Sequence, residues 1–463
     1  MSRSRWDMVN GPRYHQPPPR TASVPRTTAK NMASLEERLT ALGASPPRSW
    51  SETGLRARPH VHGMFRYPAM MVPRMQGDIL DAVLLSVGSR VHVMDPFVGS
   101  GTTMTESLMR GLRFTGVDIN PLATLTCEAK LAIHMGVDVE RAARKLLNTI
   151  NRDRGRGIDV DFPNRDKWFS DESAIELSRL RRAICSLREP NARKVMWVVF
   201  SETVRVCSNS RTSTYKLHVR PEADRVPANR ISGIFGINLA ESVSRACEYQ
   251  ELIARHRKGG ASRIICDDIR NVDFGRRGSG HRIIVTSPPY GDNESTIPYG
   301  QFSYLALRWI PSKDLHGGEE KLISNTHSLD TASLGGSRID ADQKQAIVGL
   351  ASPTFEAFAS LAGCSNKIQG VRKVASFAYD FLEALATLCA QGTQSAHWIL
   401  TTGNRTVSGL QVPFDGICRD IVEFLGGKPI ATLHRRLPNK RMPSRNSMGA
   451  MITDEATLIA EFY

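Results

Sequence analysis

The sequence predicts an α/β fold built on a mainly parallel β-sheet. Short apolar runs alternate with helical stretches from about residue 60 onward. Two of those runs end in Gly- or Pro-rich turns. The 463-residue chain is 41% hydrophobic, enough to bury a sizeable core and too much for wholesale disorder. The first strand is expected over residues 90–97 (RVHVMDPF), and the Gly-rich turn after it opens a helix over about 102–110. A second strand over 113–119 (RFTGVDI) leads into a helix over about 121–135. Two further strands are expected over 263–269 (RIICDDI) and 282–287 (RIIVTS). A fifth, 397–402 (HWILTT), follows a long amphipathic helix at roughly 372–390. A helix at about 413–425 then precedes two strand-like stretches, IATLHRRL and MITDEATLIAEFY, which suit a closing antiparallel pair.

Three segments stand outside this alternation. Residues 1–45 are rich in Pro, Arg, Ser and Thr with little periodicity, and are expected to form a basic, mostly disordered arm. Residues 137–260 form a basic, largely helical insertion, and residues 311–370 a second one rich in Gly, Ser and Asp. Lys and Arg number 61 against 46 Asp and Glu, a net charge of +15, and the pI is near 9.7. So basic a chain suits a polyanionic partner, although a basic surface without a ligand has the same composition. The eight cysteines are scattered singly, with no CxxC and no zinc spacing, so neither a metal site nor a disulfide framework is indicated. Reduced thiols, no apolar run of spanning length and no apolar core in the first residues together lead us to expect a cytoplasmic protein without membrane contact. The twelve histidines are dispersed, which gives no support to triad chemistry.

The strongest local signal is the run Asp95-Pro96-Phe97-Val98-Gly99-Ser100-Gly101-Thr102-Thr103. A strand enters, glycines turn the backbone tightly, and a helix leaves with its N-terminus facing the turn. That geometry leaves room for a ligand against bare backbone at the carboxyl edge of the sheet. No Gly-Lys-Ser/Thr follows, so the turn is not a phosphate-binding P-loop. Asp118, at the end of the next strand, stands where an acid takes both ribose hydroxyls of a nucleoside.

The second signal is Thr286-Ser287-Pro288-Pro289-Tyr290-Gly291, directly after an apolar strand. Two prolines fix φ twice and remove two N–H donors, so carbonyls are left to face outward. With a hydroxyl before them and a ring after, the string suits a flat base bearing an exocyclic amine. Ser287 Oγ and the Pro288 carbonyl would accept the amine hydrogens, with Tyr290 stacked on the ring. A rigid turn with Tyr290 as a core plug has the same sequence.

Together the two motifs resemble the amino-methyltransferases that use S-adenosyl-L-methionine, and SPPY resembles the cytosine-N4 DNA methyltransferases of restriction-modification systems. Phe65-Arg66-Tyr67-Pro68-Ala69 is similar to that family's cofactor-contacting segment upstream of the glycine loop, and Ile119 follows the ribose-binding acid. Asp268 in Asp267-Asp268-Ile269-Arg270 matches the acid facing the cofactor adenine, with Asp267 as the alternative. Ser287 to Asp292, running on to Tyr299-Gly300-Gln301-Phe302, matches an extended form of the second motif. Gly403-Asn404-Arg405 and Lys440-Arg441-Met442-Pro443 fit the later sheet and closing hairpin. The likeness covers residues 60–136 and 262 to the end, and is thin over 137–260. The glycine loop precedes SPPY, whereas many enzymes of this chemistry carry the opposite order; a circular permutation leaves sheet and site unchanged.

The resemblance implies a Rossmann-like methyltransferase sheet of seven strands, the last antiparallel, with a helical insertion. It implies S-adenosyl-L-methionine as cofactor, double-stranded DNA as partner, a flipped cytosine as target, no metal, and a separate restriction endonuclease. Cofactor contacts are expected from Tyr67, Pro68, Asp95, Pro96, Phe97, Gly99, Gly101, Thr102, Thr103, Asp118, Ile119 and Asp268, and catalysis from Ser287, Pro288, Pro289 and Tyr290. Ser208-Asn209-Ser210-Arg211 with Tyr215-Lys216 is a candidate lining of the DNA cleft, or an ordinary polar loop. The 311–370 insertion is the candidate reader of base sequence, or a mobile loop. Adenine-N6 in DNA and guanine-N2 in tRNA are the alternative substrates, and a catalytically dead DNA-binding regulator the alternative of another class. Methylation at cytosine C5 would call for a thiolate, commonly presented after a proline, and no cysteine here follows one.

Overall fold

A computed structural model describes residues 33–51, 58–254, 261–274, 280–289, 291–293, 296–316, 320–364, 367–391, 395–403, 405–437 and 454–463. Its regular elements all belong to one unit, Leu35–Tyr463. The main sheet has seven strands: β1 (Val91–Asp95), β2 (Arg113–Asp118), β3 (Ser262–Cys266), β4 (His281–Thr286), β5 (Ala396–Gly403), β8 (Lys428–Arg436) and β9 (Asp454–Phe462). A small hairpin, β6 (Arg405–Val407) with β7 (Leu410–Val412), stands apart from it. The order in the sheet is β3-β2-β1-β4-β5-β9-β8. The first five strands are mutually parallel, and β9 runs antiparallel between β5 and β8. The strand direction expected from sequence is therefore met, including the closing antiparallel pair.

Alternate strand residues serve two faces. Val91 and Val93 of β1, Ile283 and Val285 of β4 and Ile459 of β9 pack under α1 (Leu35–Ala44), α2 (Pro73–Val87) and α3 (Thr102–Met109). Met94, Ile284, Trp398 and Leu458 face the opposite layer. That layer contains α12 (Ala341–Ala351), α13 (Pro353–Cys364), α14 (Ile368–Ala390) and α15 (Phe414–Phe424). Burial on both faces explains why these strands read as unbroken apolar runs. A third core joins α4 (Pro121–His134), α5 (Val139–Arg152), the short α6 (Arg165–Trp168), α7 (Asp171–Cys185), α8 (Pro190–Cys207), α9 (Ile231–Ala254) and α10 (Tyr299–Trp309). Trp197, Phe200 and Trp309 are fully buried there.

Three expectations change. Leu35–Ala44, placed in the arm by its sequence, is α-helical, and residues 1–32 lie outside the described residues. Leu35, Leu39 and Leu42 fall on one helical face against the sheet-covering core, and Leu39 is fully buried. The 311–370 insertion is helical for much of its length, adding α11 (Ser328–Ala332), α12 and α13. The stretch Ser208–Ser210 does not offer its polar groups to an outside partner. All three residues are buried, with Asn209 bonded to the Trp168 and Lys167 carbonyls and the Ser210 carbonyl taken by Arg220. In the same loop Arg211 and Tyr215 are exposed. Among the described residues no helix is long and apolar enough to cross a membrane, and no group of three or more His, Cys, Asp or Glu could hold a metal ion.

Candidate active site

The strand order reverses between β1 and β4, because β2 follows β1 outward on one side and β5 follows β4 on the other. Ligands of open α/β sheets bind at the carboxyl ends of strands around such a point. Both motifs picked out by the sequence leave the sheet there, the glycine loop from β1 and Ser287-Pro288-Pro289 from β4. A cavity of about 870 Å³, counted with its open mouth, lies between them.

Its walls collect residues far apart in the chain. From the glycine loop come Pro96, Phe97, Gly99 and Thr102; from the end of β2, Asp118 and Ile119; from the segment before α2, Tyr67 and Pro68. Asp267 and Asp268 arrive after β3, and Ser287 and Pro289 after β4. Asp95, Gly101, Thr103 and Pro288 are not among the lining residues. Tyr290, Asn404 and Lys440-Arg441-Met442-Pro443 lie outside the described residues.

Asp118 is tied to the loop it faces. One carboxylate oxygen accepts the Gly99 amide at 2.8 Å and the other the Asn120 amide at 2.8 Å. Each oxygen keeps a further lone pair for a hydroxyl donor. Burial pushes its carboxyl up to about 6, against the two amides that favour the charged form. Asp95 does a different job. It is fully buried and accepts Thr286 Oγ1 at 2.6 Å and the Phe97 amide at 3.1 Å, so it joins the ends of β1 and β4 directly beside Ser287. Burial pushes Asp95 up to about 7. Gly101 shapes the turn from behind, with φ +77° and a Cβ position only 2.9 Å from Cys127 Sγ. Gly101→Ala is therefore expected to cost about 1–3 kcal/mol of stability, from the backbone conformation and the contact together. A thermal melt within 1 °C of the parent protein would contradict that account.

The acids after β3 divide their work. Asp268 caps the turn at Ile269–Asn271 through the Arg270 amide and is paired with the Arg270 guanidinium. Asp267 spends one oxygen on the Asp268 amide at 2.7 Å. Both reach the cavity wall.

Several wall residues escaped the sequence reading. Asn120 caps α4 through the Leu122 amide, and its Nδ2 donates to Tyr67 Oη at 3.0 Å and Ser303 Oγ at 2.7 Å. The Asn120-Pro121 pair at a helix start is a capping signal that could have revealed it. Tyr67 stacks on Tyr299, with ring centroids 5.7 Å apart, and meets Phe302 edge-on at 6.0 Å. Lys130, almost fully buried, donates to the Ser100 carbonyl at 2.6 Å and braces the loop; burial brings its ammonium down to about 8. Nothing local in the sequence marks it. Asn293, Leu329, Ala332, Ser333 and Leu334 also line the wall, and the last four come from the 311–370 insertion.

A nucleoside cofactor fits this donor set. Asp118 offers carboxylate acceptors beside the glycine loop, and Phe97, Ile119 and Ile269 supply apolar surface for a flat ring.

No protein-family model matches the chain. It is 27% identical over 414 residues to the type II methyltransferase M.MvaI of Kocuria varians, across 83% of this chain and 86% of that protein. A shorter segment of 93 residues is 32% identical to the type II methyltransferase M.MjaII of Methanocaldococcus jannaschii, 20% of this chain and 16% of that protein. This chain is thus similar, over most of its length, to a type II methyltransferase.

Proposed function

We propose that the protein is a Rossmann-like, S-adenosyl-L-methionine-dependent DNA methyltransferase acting on the exocyclic N4 of a flipped cytosine, paired with a restriction endonuclease that cuts the same site. The observation that carries the reading is one cavity shared by the Gly-rich turn after β1 and a Ser-Pro-Pro loop, at the point where the sheet reverses its strand order. The similarity to type II methyltransferases supports it, and the net charge of +15 suits a polyphosphate partner.

Asp118, Gly99, Phe97, Ile119 and Tyr67 would hold the cofactor, with Asp267 or Asp268 toward its adenine. When bound, S-adenosyl-L-methionine supplies an electrophilic sulfonium methyl group. The rest is positioning by this chain. The amine nitrogen of cytosine is a poor nucleophile because its lone pair is delocalised into the ring. Ser287 Oγ, accepting an amine hydrogen, favours a more tetrahedral nitrogen and frees that pair. Asp95, through Thr286, holds the strand end that carries Ser287. Pro289 stiffens the loop, so little reorganisation is needed when the base arrives. A base inside a duplex cannot reach such a cavity, so it must be extruded.

The test is to incubate the protein with unmethylated DNA and methyl-labelled S-adenosyl-L-methionine, digest to nucleosides and identify the product by mass spectrometry. N4-methylcytosine is expected. N6-methyladenine would overturn the base assignment and keep the chemistry. Label in tRNA alone, or cofactor binding without any transfer, would overturn the DNA-modification reading.

A further inference from the structure

Asn293 follows the Ser287-Pro288-Pro289 loop and lines the same cavity, although its side chain is only 2% exposed. Its Nδ2 donates to Asp330 Oδ1 at 3.0 Å. Asp330, carried by α11, also accepts the Gly300 amide at 2.7 Å and the Gln301 amide at 3.3 Å. Three N–H donors converge on that carboxylate, so Asp330 acts as an acceptor and the Asn293 amide must turn its NH₂ toward it. Gly300 allows the approach, since a Cβ there would stand 2.9 Å from the Asp330 carboxyl carbon. The consequence is an amide oxygen that cannot rotate away. Asn293 Oδ1 is buried and has no hydrogen-bond partner. Leaving such an acceptor unmet costs about 1–3 kcal/mol, which a donor arriving in the cavity would recover.

Resting on the proposed methyltransferase reading, we propose that Asn293 Oδ1 accepts an N–H of the target base's exocyclic amine and thereby admits amine bases while rejecting their oxo counterparts. Ser287 cannot make that distinction, because a hydroxyl rotates to donate or accept. Asn293 Oδ1, held in place by the bond from Nδ2 to Asp330, can only accept. An oxo group placed there would set oxygen against oxygen. Pro288, expected from sequence to supply the second acceptor, is buried and is not among the lining residues. The 311–370 insertion would then act on the target base through Asp330, a positioning residue.

The test uses the full-length protein, Asn293→Ala and the near-isosteric Asn293→Leu. Affinity for S-adenosylhomocysteine is measured by calorimetry, and transfer of labelled methyl to unmethylated plasmid DNA by initial rates. Both variants are expected to keep that affinity within about twofold and to lose about thirtyfold in kcat, the size of one hydrogen bond to a reacting group. In duplexes carrying the site that the wild type modifies, the target is then replaced by its oxo counterpart (uracil for cytosine, hypoxanthine for adenine). The wild type should bind these at least about tenfold more weakly than the amine duplex, a gap that closes in Asn293→Ala. Unchanged kcat in the variants, or equal wild-type affinity for amine and oxo duplexes, would overturn the inference alone. A parallel loss of S-adenosylhomocysteine affinity would assign Asn293 to the cofactor instead. A wild type that binds S-adenosylhomocysteine and transfers nothing to DNA would overturn the methyltransferase reading, and this inference with it.

Discussion

Ser287→Ala is expected to lower methyl transfer to DNA by about a hundredfold or more while affinity for S-adenosylhomocysteine stays within about twofold. In the proposed mechanism Oγ is an acceptor that matters only as the amine nitrogen becomes tetrahedral, so the loss should fall on kcat. The surroundings make the substitution clean. Ser287 is partly buried at the cavity wall, and the bonds that fix the end of β4 run through Thr286 to Asp95. Single-turnover rates alongside calorimetry separate the two quantities. Near-normal turnover would remove Ser287 from the chemistry, and a matching loss of cofactor affinity would make it a cofactor contact.

Asp118 should show the opposite pattern. Asp118→Ala removes the acceptors for the Gly99 and Asn120 amides as well as the proposed ribose contact, and is expected to weaken S-adenosylhomocysteine binding by about a hundredfold. Its titration gives a second signature. With the carboxyl raised to about 6 in the folded protein, its ionisation works against folding as pH rises through that value. Ligand binding has the reverse sign, because ribose hydroxyls donate to the charged form. Affinity should therefore fall as pH drops through about 6, approaching tenfold per pH unit below it. Asp118→Asn, which cannot ionise, should flatten that dependence. A pH-independent affinity in the wild type would contradict the ribose assignment.

How much of this was legible depended on how local each signal was. The strands ending at Asp95, Asp118 and Thr286 could be read because each is an apolar run closed by a turn, with the acid or hydroxyl placed at its end. Helix starts at Thr102 and Pro121 followed from the glycine turn and from the proline at the first helical position. The helix Leu35–Ala44 was missed because Pro, Arg, Ser and Thr dominate the segment before it, although Leu35, Leu39 and Leu42 hold the helical spacing. The polar string Ser208–Ser210 left two readings open, and the structure takes the ordinary polar loop. Hydroxyl and amide side chains suit a nucleic-acid surface and a buried loop equally, and here backbone carbonyls claim them.

Within the site the division is sharper. The amino-acid sequence by itself determined which backbone turns leave the sheet bare for a ligand and which side chains stand at their edges, because strand ends, glycines and prolines act through bonds a few residues long. Only the tertiary structure decided that the turns after β1 and β4 share one cavity, since that follows from the strand order. It also decided that Asp95 braces rather than lines the cavity, that Lys130 holds the glycine loop from behind, and that Asp330 fixes Asn293 from within an insertion. Those contacts join residues brought together by packing, and a hydrogen bond between distant segments leaves no periodicity in the chain.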